Sequence, residues 1–250
     1  MAIRNPAAAV WNNDLIVSTL LQYFEQDCLH TVVLTSRRGF AYGAPFLWRA
    51  PVVEHLYQFN QLVAACDKRP PTSILGCSQY GHWVRTIDLS MLNKRWEANL
   101  YSGLHTLVMN SPNVVNLDLN LCGSLHSTEF IELLKCNPLI LGSLTSLNIR
   151  ETSFSDSAMM DALFLLPNLE FLDITDTCAD DGVMAIISEH NKNLVTLYIG
   201  GDYITEFGVQ CVVDNCPKLK FINFTEFTGL MNEQYLIDAG IQYAEEEYSD

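Results

Sequence analysis

The chain has 250 residues, 49% of them hydrophobic, and a formal net charge of −15. That is enough apolar mass for a packed core, in one elongated domain or two small ones. No apolar run approaches the roughly 18 residues of a membrane-spanning helix, and the opening MAIRNPAAAVWNND lacks the long apolar stretch of a secretory leader.

The charge is lopsided. Residues 1–125 carry nine Lys/Arg against eight Asp/Glu, a net of +1; residues 126–250 carry five against 21, a net of −16. An acidic surface repels phosphate backbones, which disfavours nucleic-acid binding by the second half. A basic partner is favoured there, although solubility alone is the simpler role. The eight cysteines include no CxxC pair, so they read as reduced, mostly buried thiols in an intracellular chain, without a metal framework.

In chain order, residues 12–24 (NNDLIVSTLLQYF) predict a helix capped by Asn13 or Asp14, with Ile16, Leu20 and Phe24 on one face. Residues 26–40 (QDCLHTVVLTSRRGF) predict a second helix, followed by a segment, 41–56, that contains a buried-type Trp48. Residues 57–81 read as a connecting helix, a turn at Arg69–Pro71 and a lead into residue 82.

From residue 82 the chain repeats itself. An apolar–x–x–apolar–x–apolar template occurs at Val84/Ile87/Leu89, Val114/Leu117/Leu119, Leu144/Leu147/Ile149, Leu169/Leu172/Ile174, Leu194/Leu197/Ile199 and Leu219/Ile222/Phe224. A fixed period of this size signals a solenoid. Each template is short and alternating, hence a strand. The first five are followed by helical spacing, as in residues 154–166, 179–190 and 204–215, with Ser155, Asp180 and Thr205 as N-caps. One strand–helix unit leaves an apolar side open, and stacking neighbours covers it. Residues 231–250 predict a capping helix with an acidic tail.

The third and fifth template residues alternate away from the core onto a concave face. They are Thr86 and Asp88, Asn116 and Asp118, Ser146 and Asn148, Phe171 and Asp173, Thr196 and Tyr198, Phe221 and Asn223. Phe171, Tyr198 and Phe221 thereby fall on a wet surface. Either a partner covers such rings, or loops and the C-terminal tail do.

VVNLDLNLC (114–122), ITEFGV (204–209), CADDGV (178–183) and NCPKL (215–219) resemble the cysteine-containing leucine-rich repeat. LIVSTLLQYF, CLHTVVLTSRR and FLWR resemble an F-box in order and spacing, except that Asn12-Asn13 replaces its Leu-Pro opening. The two together, joined by YGHWVRTIDLS (80–90), resemble F-box leucine-rich-repeat proteins. That resemblance implies an α/β fold: a leucine-rich-repeat solenoid, a short open arc of about six repeats, after a small all-α F-box-like segment. The implied boundaries are 1–56, 57–81, 82–228 and 229–250. The implied role is substrate recognition in an SCF-type ubiquitin ligase, cytoplasmic or nuclear.

By the same resemblance, Leu15, Ile16, Leu20, Phe24, Leu29 and Trp48 would meet a Skp-type adaptor and thereby a cullin scaffold. Phe171, Asp173, Tyr198, Phe221 and Asn223 would meet a target protein. The alternative is a leucine-rich-repeat scaffold or regulator whose N-terminal helices are only a cap.

Catalytic and cofactor motifs are absent from the sequence: there is no phosphate-cradling Gly loop, no HExxH and no GxSxG. No cofactor, metal or membrane is expected. His126 and His190 fall at helix ends, where solvation is the expected fate. Asp173, Asp176, Asp180 and Asp181 fit no EF-hand order, so capping and solvation explain them better. Cys122, Cys136, Cys178 and Cys216 lie near turns, and the resemblance implies that they pack inside.

Overall fold

The computed structural model describes residues 14–68, 79–225 and 233–246. Seven strands form one parallel sheet in strict sequence order: β1 Thr86–Asp88, β2 Asn116–Asp118, β3 Ser146–Asn148, β4 Phe171–Asp173, β5 Thr196–Gly200, β6 Phe221–Thr225 and β7 Gln242–Glu246. Each connection between parallel neighbours is a right-handed crossover by the general rule, so the connecting helices fall on one face and the other stays open. The helices are Tyr101–Asn110, Ser127–Lys135 with Pro138–Ser143, Asp156–Leu165, Asp181–His190, Glu206–Asn215 and Glu233–Asp238.

Register follows the repeat without slippage. Ile87, Leu117, Leu147, Leu172, Leu197 and Ile222 pair in succession and are all buried. Each such side chain contributes on the order of 2 kcal/mol by leaving water. Between sheet and helices, Phe130 stacks on Phe154 with ring centroids 4.3 Å apart.

The helices start where the sequence predicts. Ser155 Oγ accepts from Ala158 N–H, Asp180 Oδ1 from Gly182 and Val183 N–H, and Thr205 Oγ1 from Phe207 N–H. They stop at Leu165, His190 and Asn215, before the Pro and Asn residues that break them. Buried Asn191 is more than a breaker: its Nδ2 donates to Leu166 O at 2.8 Å and Leu163 O at 3.3 Å, at the C-terminal end of the previous helix.

One carbonyl per rung ties the stack together by accepting two N–H groups from the next rung. Arg85 O serves Val115 and Asn116, Val115 O serves Thr145 and Ser146, and the pattern runs through Thr145, Glu170 and Val195. It begins one step earlier than the first template: Arg49 O accepts from Arg85 N at 2.8 Å and Thr86 N at 3.0 Å. Asn93 N also donates to Glu54 O at 3.0 Å. Residues 49–54 therefore lie beside β1 as a rung without a template. Val53, Phe59, Leu62 and Cys66, the last three on helix Leu56–Cys66, join the solenoid core. A separate small core of Val17, Leu21 and Leu29 belongs to helices α1 Asp14–Leu21, α2 Gln26–Thr35 and α3 Arg37–Leu47. The seam between the two cores falls between Leu47 and Val53.

Several expectations need correction. The single helix over 26–40 is two: Ser36 is extended (φ −164°, ψ 163°), and its side chain caps the second helix by accepting from Gly39 N–H. The terminal helix is confined to Glu233–Asp238, and part of the acidic tail is a seventh strand paired in register with β6. Cys178 is exposed, whereas Cys66, Cys122 and Cys216 are buried. The Arg69–Pro71 turn lies outside the described residues.

Candidate partner-binding surfaces

The open face of the sheet carries two rows of side chains. Strand alternation makes them, and the parallel register sets neighbours about 4.8 Å apart. The fifth-position row does a structural job that spacing alone did not reveal. Asp88, Asp118, Asn148 and Asp173 each accept, through Oδ1, the backbone N–H two residues on, at 2.8, 3.0, 2.9 and 2.9 Å. Asn148 Nδ2 also donates to Asp118 Oδ2 at 3.0 Å. Asp or Asn recurs at five of the six fifth positions, and that recurrence was the available signal. Short polar side chains of this kind close backbone turns.

Burial raises the Asp118 pKa, with help from the charges of Asp88 and Asp173 and against hydrogen bonds from Asn120 and Asn148. Burial likewise raises that of Asp173, against the Thr175 hydrogen bonds and Arg150. The Arg150 side chain is held by Glu151 (3.3 Å) and Asp176 (3.5 Å).

Tyr198 breaks the row of small polar residues and joins a ladder of rings. Its centroid is 5.4 Å from that of Phe171 and 5.9 Å from that of Phe221, with tilts of 48° and 51°. All three rings remain half-buried, so each keeps an accessible part on the open face. Tilted contacts at this separation suit the ring quadrupole and fix the three side chains before any partner arrives. Asp173 and Asn223 differ from expectation: they are 6% and 2% exposed. Tyr198 is the register partner of both and stands between them, shading the shorter side chains. They support the ladder from beneath and are not part of the accessible surface.

The acidic group at 173–181 is absorbed by structure. Asp180 caps a helix, Asp176 meets Arg150, and Asp181 accepts from Thr205 N–H and Oγ1 at 2.8 and 2.6 Å. Among the described residues no three His, Cys, Asp or Glu side chains converge as a metal site, and no helix is long and apolar enough to cross a membrane. His126 is an exposed N-cap whose N–H donates to Glu129 Oε2 at 2.9 Å. His190 packs edge-on against Phe164.

At the N-terminal end, α1 has two apolar faces. Val17 and Leu21 turn inward. Ile16, Leu20 and, just past the helix, Phe24 are 41%, 46% and 40% exposed. Leu29, expected on the same surface, is buried between the helices. Trp48 is half-buried and stacks on Tyr80, centroids 4.6 Å apart, which ties it to the seam. The Leu15 side chain lies outside the described residues.

No family model matches the chain, and no curated protein matches it. Among solved structures 47 chains match. One is an internalin C2 from Listeria monocytogenes strain 4b F2365, which aligns over 89% of this chain and 92% of that one, with a TM-score of 0.50 and 12% identity. At that identity the likeness establishes the fold alone. Together with the in-register parallel rungs, it makes this chain a protein of leucine-rich-repeat fold.

Proposed function

We propose that the chain is a non-catalytic recognition module that holds a protein partner on the open face of its sheet. The Phe171–Tyr198–Phe221 ladder carries this reading. Three half-buried rings, preset by contact with one another, offer apolar area at little further cost in side-chain entropy, as interface anchors do. The net charge of −16 over residues 126–250 favours a partner that is basic where it faces this half. The test is site-specific crosslinking, with a photoreactive residue placed at Tyr198 or, as a control, at Glu189 on the opposite, helical side. Capture of one species from Tyr198 alone, abolished by Phe221→Ala with the melting temperature of the protein little changed, is expected. Equal capture from both positions would sink the reading.

A second reading rests on the outer face of α1. Ile16, Leu20 and Phe24 form an exposed apolar edge on the segment that resembles an F-box, and a Skp-type adaptor would cover it. On that reading the module is the substrate receptor of an SCF-type ubiquitin ligase, acting by proximity. Purified protein titrated with a Skp-type adaptor should bind at sub-micromolar concentration and lose binding in both Ile16→Asp and Leu20→Asp. A folded chain that does not bind leaves the scaffold reading standing alone.

A further inference from the structure

We infer that the seam between the helical segment and the first two rungs is a second binding site, which takes a short acidic peptide segment of a partner protein. A cleft of about 510 Å³ opens there. Its lining is partly basic, with Arg49, Arg85 and His82, and partly apolar, with Pro45, Phe46 and Trp83. Residues 1–125, which supply the cleft, hold nine basic and eight acidic residues, and among the described residues no carboxylate lines it. Among the described residues neither Arg49 nor Arg85 forms an ion pair. Two exposed arginines without carboxylate partners around one concavity are available to a negatively charged group from outside.

The basic part of the lining is anchored through its backbone. Arg49 and Arg85 are successive members of the carbonyl row, so the backbone sets them one rung apart. Arg85 Nη1 donates to Asn113 O at 3.1 Å, and Asn113 Nδ2 donates to His82 O at 2.8 Å. Trp83 meets Tyr80 edge-on at 5.5 Å, and Tyr80 in turn stacks on Trp48. Arg85 is therefore held in place for guanidinium–carboxylate pairing, which is stronger and more directional than a neutral hydrogen bond.

Two features select a peptide. The volume is far larger than a single carboxylate or phosphate needs, and the apolar part of the lining calls for a ligand with an apolar body beside its charges. A long polyanion such as nucleic acid would run into the field of the acidic second half; a short acidic peptide needs only the local potential. This site is independent of the ring ladder and stands whether or not the ladder binds anything.

The test uses fluorescence anisotropy on the full chain with three labelled probes. One is an octapeptide of glutamates around a central tyrosine, the second replaces each glutamate with lysine, and the third is an oligothymidylate of matched charge. The glutamate peptide should bind, and its affinity should fall steeply between about 50 and 200 mM salt, as pairing of exposed charges does. Arg49→Glu should weaken it at least about tenfold, the scale of one lost charge pair, whereas Arg49→Lys should retain most of it. Arg49 serves the rung through its backbone carbonyl, so both variants should melt like the parent; Arg85→Gln supplies an independent second loss. Failure of the glutamate peptide to bind, equal binding of the lysine peptide, tighter binding of the oligothymidylate, or an affinity unmoved by Arg49→Glu would each overturn the proposal.

Discussion

Replacing Gly200 with alanine puts a methyl carbon where β6 already stands. A Cβ built on Gly200 lies 2.2 Å from the Thr225 carbonyl oxygen and 3.1 Å from Thr175 Cγ2. Thr225 is the register partner of Gly200, so the oxygen is backbone in a paired strand and cannot swing aside as a side-chain tip can. Relief requires the strands to part by about 1 Å at this end; overpacking of that kind costs roughly 1–3 kcal/mol, and a weakened ladder hydrogen bond adds about 1 kcal/mol. The next residue is the internal control. Gly201 has φ +100° and nothing nearer to its Cβ position than Thr177 O at 3.8 Å, so it needs conformational freedom and not space. Alanine there should cost about 1 kcal/mol. For a chain of this size each kcal/mol moves the melting midpoint by roughly 2–4 °C. Calorimetry should therefore show Gly200→Ala melting clearly below Gly201→Ala, and both below the parent. If Gly201→Ala is as damaging as Gly200→Ala, the close approach of β5 and β6 is wrong.

Two further outcomes can be read from ionisable groups. Asp173 has a raised native pKa, so the folded chain takes up its proton more readily than the unfolded chain. Its contribution to stability therefore rises as pH falls from that raised value toward the ordinary 3.8 and levels off below it. Asp173→Asn reproduces the Asn223–Thr225 pairing of β6 and should remove that rise, measured as urea midpoints from neutral pH down to about 4; an unchanged pH slope would refute the assignment. Burial pushes the Cys66 and Cys122 thiols up to about 12 and Cys216 up to about 11. Maleimide applied to the folded protein at mildly alkaline pH should label exposed Cys28 and Cys178 first and reach the other three only in denaturant. Equal labelling of Cys122 and Cys178, read by peptide mass spectrometry, would contradict the packing.

The rungs were legible because the buried side chains themselves set the period: an apolar residue, most often leucine or isoleucine, is required wherever one rung stacks on the next. The caps were legible because Ser155, Asp180 and Thr205 do a local job with local chemistry. Two rungs escaped for the opposite reason. Residues 49–54 dock through carbonyls, which leave no mark on side-chain identity. In β7 the register places Glu245 opposite Phe224, an apolar template position, so the template is absent although the pairing is kept. Alternation placed Asp173 and Asn223 on the open face, but it does not report the bulk of a neighbour, and Tyr198 shades both. Periodicity showed that α1 is apolar; it could not choose between the Ile16 and Val17 faces, because that depends on which helix comes to rest against it.

The two hydrophobic clusters are unequal. One runs without a break from Val53 to Ile241, and the other consists of Val17, Leu21 and Leu29 with a few partly covered neighbours. A core of that second size is marginal by itself, since small assemblies bury too little of their surface. The helices from Asp14 to Leu47 should thus melt as a separate, earlier step, while the rungs persist to higher temperature. A protein that covered Ile16, Leu20 and Phe24 would add its binding energy to the weaker step alone. Occupancy at this end would then read out as a rise in the first melting transition with the second standing still, so the molecule reports on its own engagement.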